Sequence, residues 1–218
     1  MTTMSLKLLV RNMSQRVTLM TALKDVQILV FPAAVKVYNE CKLIITKLGS
    51  LHKHLNANKA EAYQEATCLI ERITRYLTVS VTNKREIVDK NQKIMLNFEM
   101  DTPVRKMLGL HLERDTSRRD GGELEADVAV NMPRKDLFQA CYTFLKMLAR
   151  GNPQAQARLF PHIHLFAEDM GVEKLNVADT LCAIVQDNLA LCSQVSESFF
   201  KKFVTAIRTW GRRARWLR

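Results

Sequence analysis

Two histidines, His162 and His164, lie close in the sequence to the carboxylates of Glu168 and Asp169. Imidazole and carboxylate groups together are common ligands of zinc. Side chains two positions apart in a helix point about 200° away from each other, however, whereas paired helical ligands stand four positions apart. We therefore predict that both histidines have structural roles and that no metal is bound here.

The sequence contains no pattern that is typical of an enzyme active site. It has no G-x-S-x-G motif and no phosphate-binding loop, and Gly121-Gly122 lies in a charged segment rather than between a strand and a helix. We predict that the chain is not an enzyme and binds no cofactor. Without a CxxC pair or a secreted disulfide framework, the cysteines are expected to be reduced thiols in the core of a cytosolic protein; they are Cys41, Cys68, Cys141, Cys182 and Cys192.

The C-terminal end of the chain is strongly basic. From Ser198 to Arg218 there are seven lysines and arginines and no acidic residue. Next to Trp210 and Trp216, these charges could bind anionic lipid or nucleic acid; alternatively, they are a solvated helix end or face an acidic domain. We favour the second reading because interleaved aromatic residues are lacking, so nucleic acid is not expected as a partner. The candidate basic surface consists of Arg208, Arg212, Arg213, Arg215 and Arg218.

Composition predicts an all-α protein. The chain has 218 residues, 47% of them hydrophobic, which is enough to bury one large core or two small ones. The 7 glycines and 5 prolines are few for a globular chain, and good helix formers dominate. No apolar run approaches the ~18 residues that a transmembrane helix needs, and charges spread through the N-terminal residues exclude a clean signal peptide.

Apolar residues at helical spacing predict a series of helices. A charged, glycine-containing segment at 112–133 interrupts this pattern and is predicted to be a mobile link, between N-terminal helical repeats at 1–111 and C-terminal repeats at 134–218. The predicted helices are 6–22, 34–52, 60–79, 84–98, a short one after Asp101-Thr102-Pro103, 134–150, one that starts at Asn152, 177–192, and one from 197 to at least 208.

Helix pairs with short turns, about 40 residues per pair, favour an armadillo or HEAT-like solenoid of antiparallel helix pairs. A simple helical bundle would leave the same sequence pattern.

The segment from Gly151 to Phe166 combines an explicit helix start with an unusual order of polar and apolar residues. Asn152 suits the cap of a helix and Pro153 its first position. The residues that define the segment are Asn152, Gln156, Leu159, His162, Ile163 and Phe166.

This motif resembles the homology region (RIH domain) that is shared by inositol trisphosphate receptors and ryanodine receptors, in the version found in the inositol trisphosphate receptors. Residues 9–16 and 22–30 before it, and 187–193, Phe203-Val204 and 210–212 after it, resemble the same family in the same order. The stretch 52–65 is shorter than the family would have, and Pro161 interrupts a helix expected to be continuous.

The resemblance implies a cytosolic regulatory solenoid segment of an inositol trisphosphate-gated calcium-release channel, on the endoplasmic reticulum or another internal calcium store. Such a segment would relay conformational change from the ligand-binding region to the pore. It implies other domains and subunits of the same channel as partners, a homotetramer, and a parent channel that responds to inositol trisphosphate and calcium. It also implies that Asn152, Gln156 and His162 connect neighbouring helical layers.

None of the ligand pocket of the inositol trisphosphate receptors is present in this sequence, so no ligand residue is carried over. Because these channels sense calcium through acidic groups at domain junctions, Glu71 is a weak calcium candidate; the alternative is an ordinary surface charge near Arg72 and Arg75.

The last helix still presents large apolar residues at Trp210, Trp216 and Leu217 without a capping signal. We therefore expect either a longer native polypeptide or a truncated gene product. Two other functions stay open: a free-standing helical adaptor that binds acidic peptides or nucleic acid through its basic C-terminal helix, and a degenerate fragment without function.

Overall fold

The computed structural model describes residues 11, 13–18, 32–56, 59–80, 84–115, 125–170 and 175–210. Every regular element in these ranges is a helix, which confirms the all-α prediction. The α-helices are α1 (Pro32–Asn56), α2 (Ala60–Thr74), α3 (Arg85–Asn97), α4 (Asp101–Asp115), α5 (Glu125–Ala149), α6 (Pro153–Leu159), α7 (Ile163–Glu168), α8 (Val177–Val185), α9 (Leu189–Cys192) and α10 (Glu197–Trp210), with 3-10 turns at Arg75–Leu77 and Phe160–His162.

The chain divides into two compact units, residues 1–35 and 36–218. In the first, residues 13–18 are helical, and the Ser14 hydroxyl donates a hydrogen bond to the Arg11 carbonyl at 2.9 Å. The rest of the description concerns the second unit.

Helix α5 is the centre of the second unit. It packs along α2 on one side and along α8 on another, and it also contacts α4 and α6. Its buried side chains include Phe144 and Leu145, which are fully shielded from solvent. Long and short helices stacked in this way form the all-α, solenoid-like fold that the sequence predicts.

Several helix ends differ from the sequence-based bounds. Helix α4 is longer than the short helix expected there, and α5 begins at Glu125 and continues through Pro133. Glutamate and arginine are good helix formers, so a loss of apolar periodicity did not exclude helix in this region. The remaining part of the predicted link, 116–124, lies outside the described residues, and so does most of the predicted helix 6–22; the link's mobility stays a prediction.

The predicted helix 177–192 is in fact two helices. Gln186 leaves the helical conformation with ψ 131°, Asp187 then takes a left-handed conformation with φ 57°, and α9 starts after Asn188. Aspartate tolerates this conformation better than most residues do, but its presence alone is too weak a signal to predict a break. The helix from Asn152 is also divided, since Pro161 lies in the 3-10 turn between α6 and α7.

The expectation that all five cysteines lie in the core is wrong for three of them. Cys41 and Cys141 are buried, and burial raises the pKa of the Cys41 thiol to about 12. Cys68, Cys182 and Cys192 are exposed, because a helix in a solenoid keeps an outer face toward solvent.

None of the helices in the described ranges combines the length and apolarity needed to cross a bilayer.

Leu159 offers a test of the core. Its side chain is 0% exposed, so Leu159→Ala should lower the free energy of unfolding by about 2–5 kcal/mol through lost burial and a residual cavity. Leu43, on the outer side of α1, is 46% exposed, and Leu43→Ala should cost much less. Urea unfolding of both variants measures the difference; equal losses would remove Leu159 from the core.

Candidate functional site

Asn152 caps α6 as its sequence predicts. Its backbone is extended, with φ −126°, and its side-chain oxygen accepts a hydrogen bond from the Ala155 amide at 3.1 Å, while Pro153 occupies the first helical position. The amide group of the same side chain donates to Gln92 Oε1 at 3.3 Å. Asn152 therefore joins the start of α6 to α3.

Gln92 is the partner that sequence reasoning missed. It lies in α3 with 1% of its surface exposed, and its Nε2 donates to the carbonyls of Met147 and Arg150 at 3.0 and 3.1 Å. These carbonyls stand at the end of α5, where the helix itself supplies no partner. No sequence signal marks this role, because a glutamine between Asn91 and Lys93 reads as a surface residue.

Gln156 connects α6 to the next helices along the chain. It is 2% exposed, and its Nε2 donates to the carbonyls of Ala183 and Gln186 at 3.1 and 2.8 Å, at the end of α8. Its Oε1 accepts from Asn188 Nδ2 at 3.0 Å. Asn188 in turn caps α9, where its side-chain oxygen accepts from the Leu191 amide at 3.3 Å.

The apolar members of the motif pack into the same interior. Leu159 and Phe166 are fully buried and Ile163 is 5% exposed. The ring of Phe166 meets Tyr142 of α5 edge-on, with 6.2 Å between centroids. Tyr142 donates a hydrogen bond to the buried carboxylate of Asp169, and its backbone carbonyl accepts from the Thr180 hydroxyl at 3.0 Å, so α5, α7 and α8 meet here.

His162 contacts a charged group on α4. Arg105 Nη1 lies 2.6 Å from His162 Nε2, and because a guanidinium only donates, a neutral imidazole nitrogen accepts. Asp101, whose surface is 0% exposed, receives hydrogen bonds from Arg105 at 2.9 Å and from Arg158 at 3.2 Å. Arg158 also donates to the Leu96 carbonyl at 3.3 Å, which ties α6 to the end of α3.

The other residues that were considered as metal ligands, and rejected, contact different neighbours. His164 packs against Phe199 of α10, with 5.9 Å between the rings, and Glu168 pairs with Lys202. Within the described ranges, no group of three or more histidine, cysteine, aspartate or glutamate side chains is placed to hold a metal ion.

Glu71 lies on the exposed face of α2, along a groove of about 420 Å³ between α2 and α5. Asp136 lines the opposite wall, together with threonines from both helices. Calcium takes six to eight oxygen ligands, and two carboxylates are a small part of such a set. The role of Glu71 stays a prediction.

The side chain of Arg208 and all of residues 211–218 lie outside the described residues. The candidate basic surface therefore stays a prediction as well.

A family model described as the RIH domain matches residues 107–218, which is 112 of the 218 residues. The chain belongs to the RIH domain family. The match begins within α4 and includes the whole segment from Gly151 to Phe166 together with Asn188. RIH regions are parts of ryanodine receptor and inositol trisphosphate receptor channels. The contacts of Gln156 with the end of α8 and with Asn188 lie within the matched residues, whereas Gln92, Asp101 and Arg105 precede them.

The Gly151 position tests the turn before the Asn152 cap. Gly151 has φ +67°, and a Cβ there would lie 2.4 Å from the flexible guanidinium of Arg85. Because that group can move aside, Gly151→Ala should lower the free energy of unfolding by about 1–2 kcal/mol, the cost of the left-handed conformation. Gly49→Ala is the matched control. Nothing lies within 4 Å of a Cβ at Gly49 in α1, and alanine there should stabilise by about 0.5–1 kcal/mol. Thermal or urea unfolding of both variants measures whether the free energy of unfolding falls in the first and rises in the second.

The contact of His162 predicts a pH effect on stability. Burial and the Arg105 cation hold the pKa of His162 below its ordinary value, and Asp101 opposes this only in part. At a pH above the pKa that His162 has in the unfolded protein, its imidazole is neutral in both the folded and the unfolded state. As the pH falls below that pKa, the unfolded state takes up the proton first, so the free energy of unfolding should decrease until the folded-state pKa is passed.

His162→Gln keeps an acceptor for Arg105 and removes the titration, so its stability should fall less between about pH 7 and pH 5. Urea midpoints across this range give the comparison. Parallel curves for the two proteins would mean that His162 titrates normally.

Proposed function

We propose that the chain is a cytosolic regulatory solenoid segment of an inositol trisphosphate-gated calcium-release channel. The observation that carries the proposal is the coincidence of the RIH match with the polar contacts of Asn152 and Gln156. Asn152 joins the start of α6 to α3, and Gln156 joins the end of α8 to the cap of α9, so the segment suits mechanical work. Stacked helices with packed cores shift as units rather than deform continuously.

In this proposal the segment passes a rotation of the ligand-binding region toward the pore. Its partners are other domains and subunits of the same channel, assembled as a homotetramer on the membrane of the endoplasmic reticulum or another internal calcium store. The parent channel responds to inositol trisphosphate and calcium, and the segment itself holds no cofactor. The family relationship supports these statements, and the sequence motif favours the inositol trisphosphate branch over the ryanodine branch.

The first test uses an antibody raised against the purified chain. Membrane and soluble fractions of the cells that express the protein are probed with it, and the membrane antigen is immunoprecipitated and incubated with radiolabelled inositol trisphosphate or ryanodine. We expect a membrane band of several hundred kilodaltons whose precipitate binds inositol trisphosphate in a saturable manner. An unrelated precipitated membrane protein is the control for nonspecific ligand binding.

Other outcomes are informative. A precipitate that binds ryanodine instead would contradict the assignment to the inositol trisphosphate branch. It would still support the proposal that the chain is a segment of a calcium-release channel. A single soluble band near the chain's own mass of 25.0 kDa would overturn the channel proposal and favour the adaptor. Binding of that adaptor to acidic partners through its basic end should weaken steeply with salt.

A further inference from the structure

The contacts of Gln92 and of Gln156 are the same set of contacts made twice. Each glutamine donates to two carbonyls three residues apart at the end of a helix: Met147 and Arg150 for Gln92, Ala183 and Gln186 for Gln156. Each also accepts from the asparagine that caps the next short helix, Asn152 or Asn188.

The backbone repeats along with the side chains. In both places the residue before the asparagine has a positive φ, +67° at Gly151 and 57° at Asp187. In both, the asparagine oxygen accepts from the amide three residues on, Ala155 or Leu191. Corresponding residues of the two corners, here defined as residues 147–155 and 183–191, are 36 positions apart, which is a plausible length for one helical repeat.

This equivalence identifies α3 and α6 as corresponding helices of successive repeats. The first glutamine precedes its carbonyl partner by 55 residues and the second by 27, so the first repeat holds an insertion of 28 residues between its glutamine and its corner. Helix α4 and residues 116–124 lie within this interval.

The two corners share one helix. Gln156 lies on α6, which Asn152 caps, and the Gln156 amide donates to the Asn152 carbonyl at 3.0 Å. A continuous series of hydrogen bonds therefore runs from the end of α5 through Gln92, Asn152 and Gln156 to Asn188 and α9. Hydrogen bonds in such series polarise one another in a low-dielectric interior.

We infer that Gln92 and Gln156 are positioning residues that couple the two corners, so that opening of one corner loosens the other. Each glutamine holds the end of one helix, α5 or α8, and at the same time the cap of the short helix that follows. A change at either corner is transmitted to the other through α6. The statement that this coupling passes gating movements along the channel rests on the proposed function; the coupling itself does not.

Hydrogen exchange of the full 218-residue chain, resolved by NMR, tests the coupling. The amides of Ala155 and Leu191 report on the first and second corner, because each is held by its cap asparagine. Gln92→Met keeps the side-chain length, leaves the Met147 carbonyl without its donor, and leaves the Arg150 carbonyl with Arg85 Nη2 as its side-chain donor. We expect exchange to increase about tenfold at Ala155 and at least threefold at Leu191, which Gln92 does not touch.

Gln154→Met is the matched control, since Gln154 lies exposed on α6, and it should change neither amide. An increase at Ala155 alone, with Leu191 as in the control, would show two independent caps and overturn the inference.

A milder variant covers the case in which Gln92→Met unfolds the whole chain and raises exchange everywhere. Asn188→Ser keeps a cap oxygen for Leu191 and removes only the donor to Gln156. Coupling predicts faster exchange at Ala155 in this variant while a reference amide in α1, Ile44, stays protected; an unchanged Ala155 amide would contradict it. None of these outcomes depends on ligand binding by the parent channel, so the coupling and the proposed function can fail separately.

Discussion

The last carbonyl groups of a helix have no partner within that helix, and in a stacked structure many of these ends are shielded from water. In this protein, side chains of other helices supply the missing donors: Asn91 to the Tyr76 carbonyl, Arg158 to Leu96, Gln92 to the end of α5 and Gln156 to the end of α8. Each bond joins a different pair of helical segments. The order of the layers is therefore determined where helices end as well as where apolar faces meet.

These polar contacts add specificity that apolar packing alone would lack. Hydrophobic contact is non-directional, and a helix that slides by one turn can often bury a similar area. A buried carbonyl without its donor costs about 1–3 kcal/mol, so a slide that separated Gln92 or Gln156 from its partners would be penalised at several atoms together. Such an arrangement favours a few discrete positions of the layers over continuous drift, which suits a segment proposed to pass on movement.

Local features of the sequence predicted the all-α class and the cap at Asn152, because composition indicates the class and a cap needs only one residue of a suitable type. Gln92 could not be found in this way, since its partners follow it by 55 and 58 residues and a glutamine looks the same on a surface. The break at Asp187 was missed because aspartate occurs in helices far more often than it ends them. Glu71 and the basic C-terminal residues were singled out by their charge, and charge alone does not specify a partner.

The 28 additional residues between Gln92 and its corner have a consequence for the order in which the chain folds. The hydrogen bond from the Asn152 side chain to Gln92 closes a loop of 60 residues, and the equivalent hydrogen bond from Asn188 to Gln156 closes one of 32. Each doubling of loop length adds about 0.6 kcal/mol of closure entropy, so the C-terminal corner has the lower entropic barrier. During synthesis, however, that corner leaves the ribosome last. The N-terminal corner therefore leaves the ribosome first but has the longer loop to close.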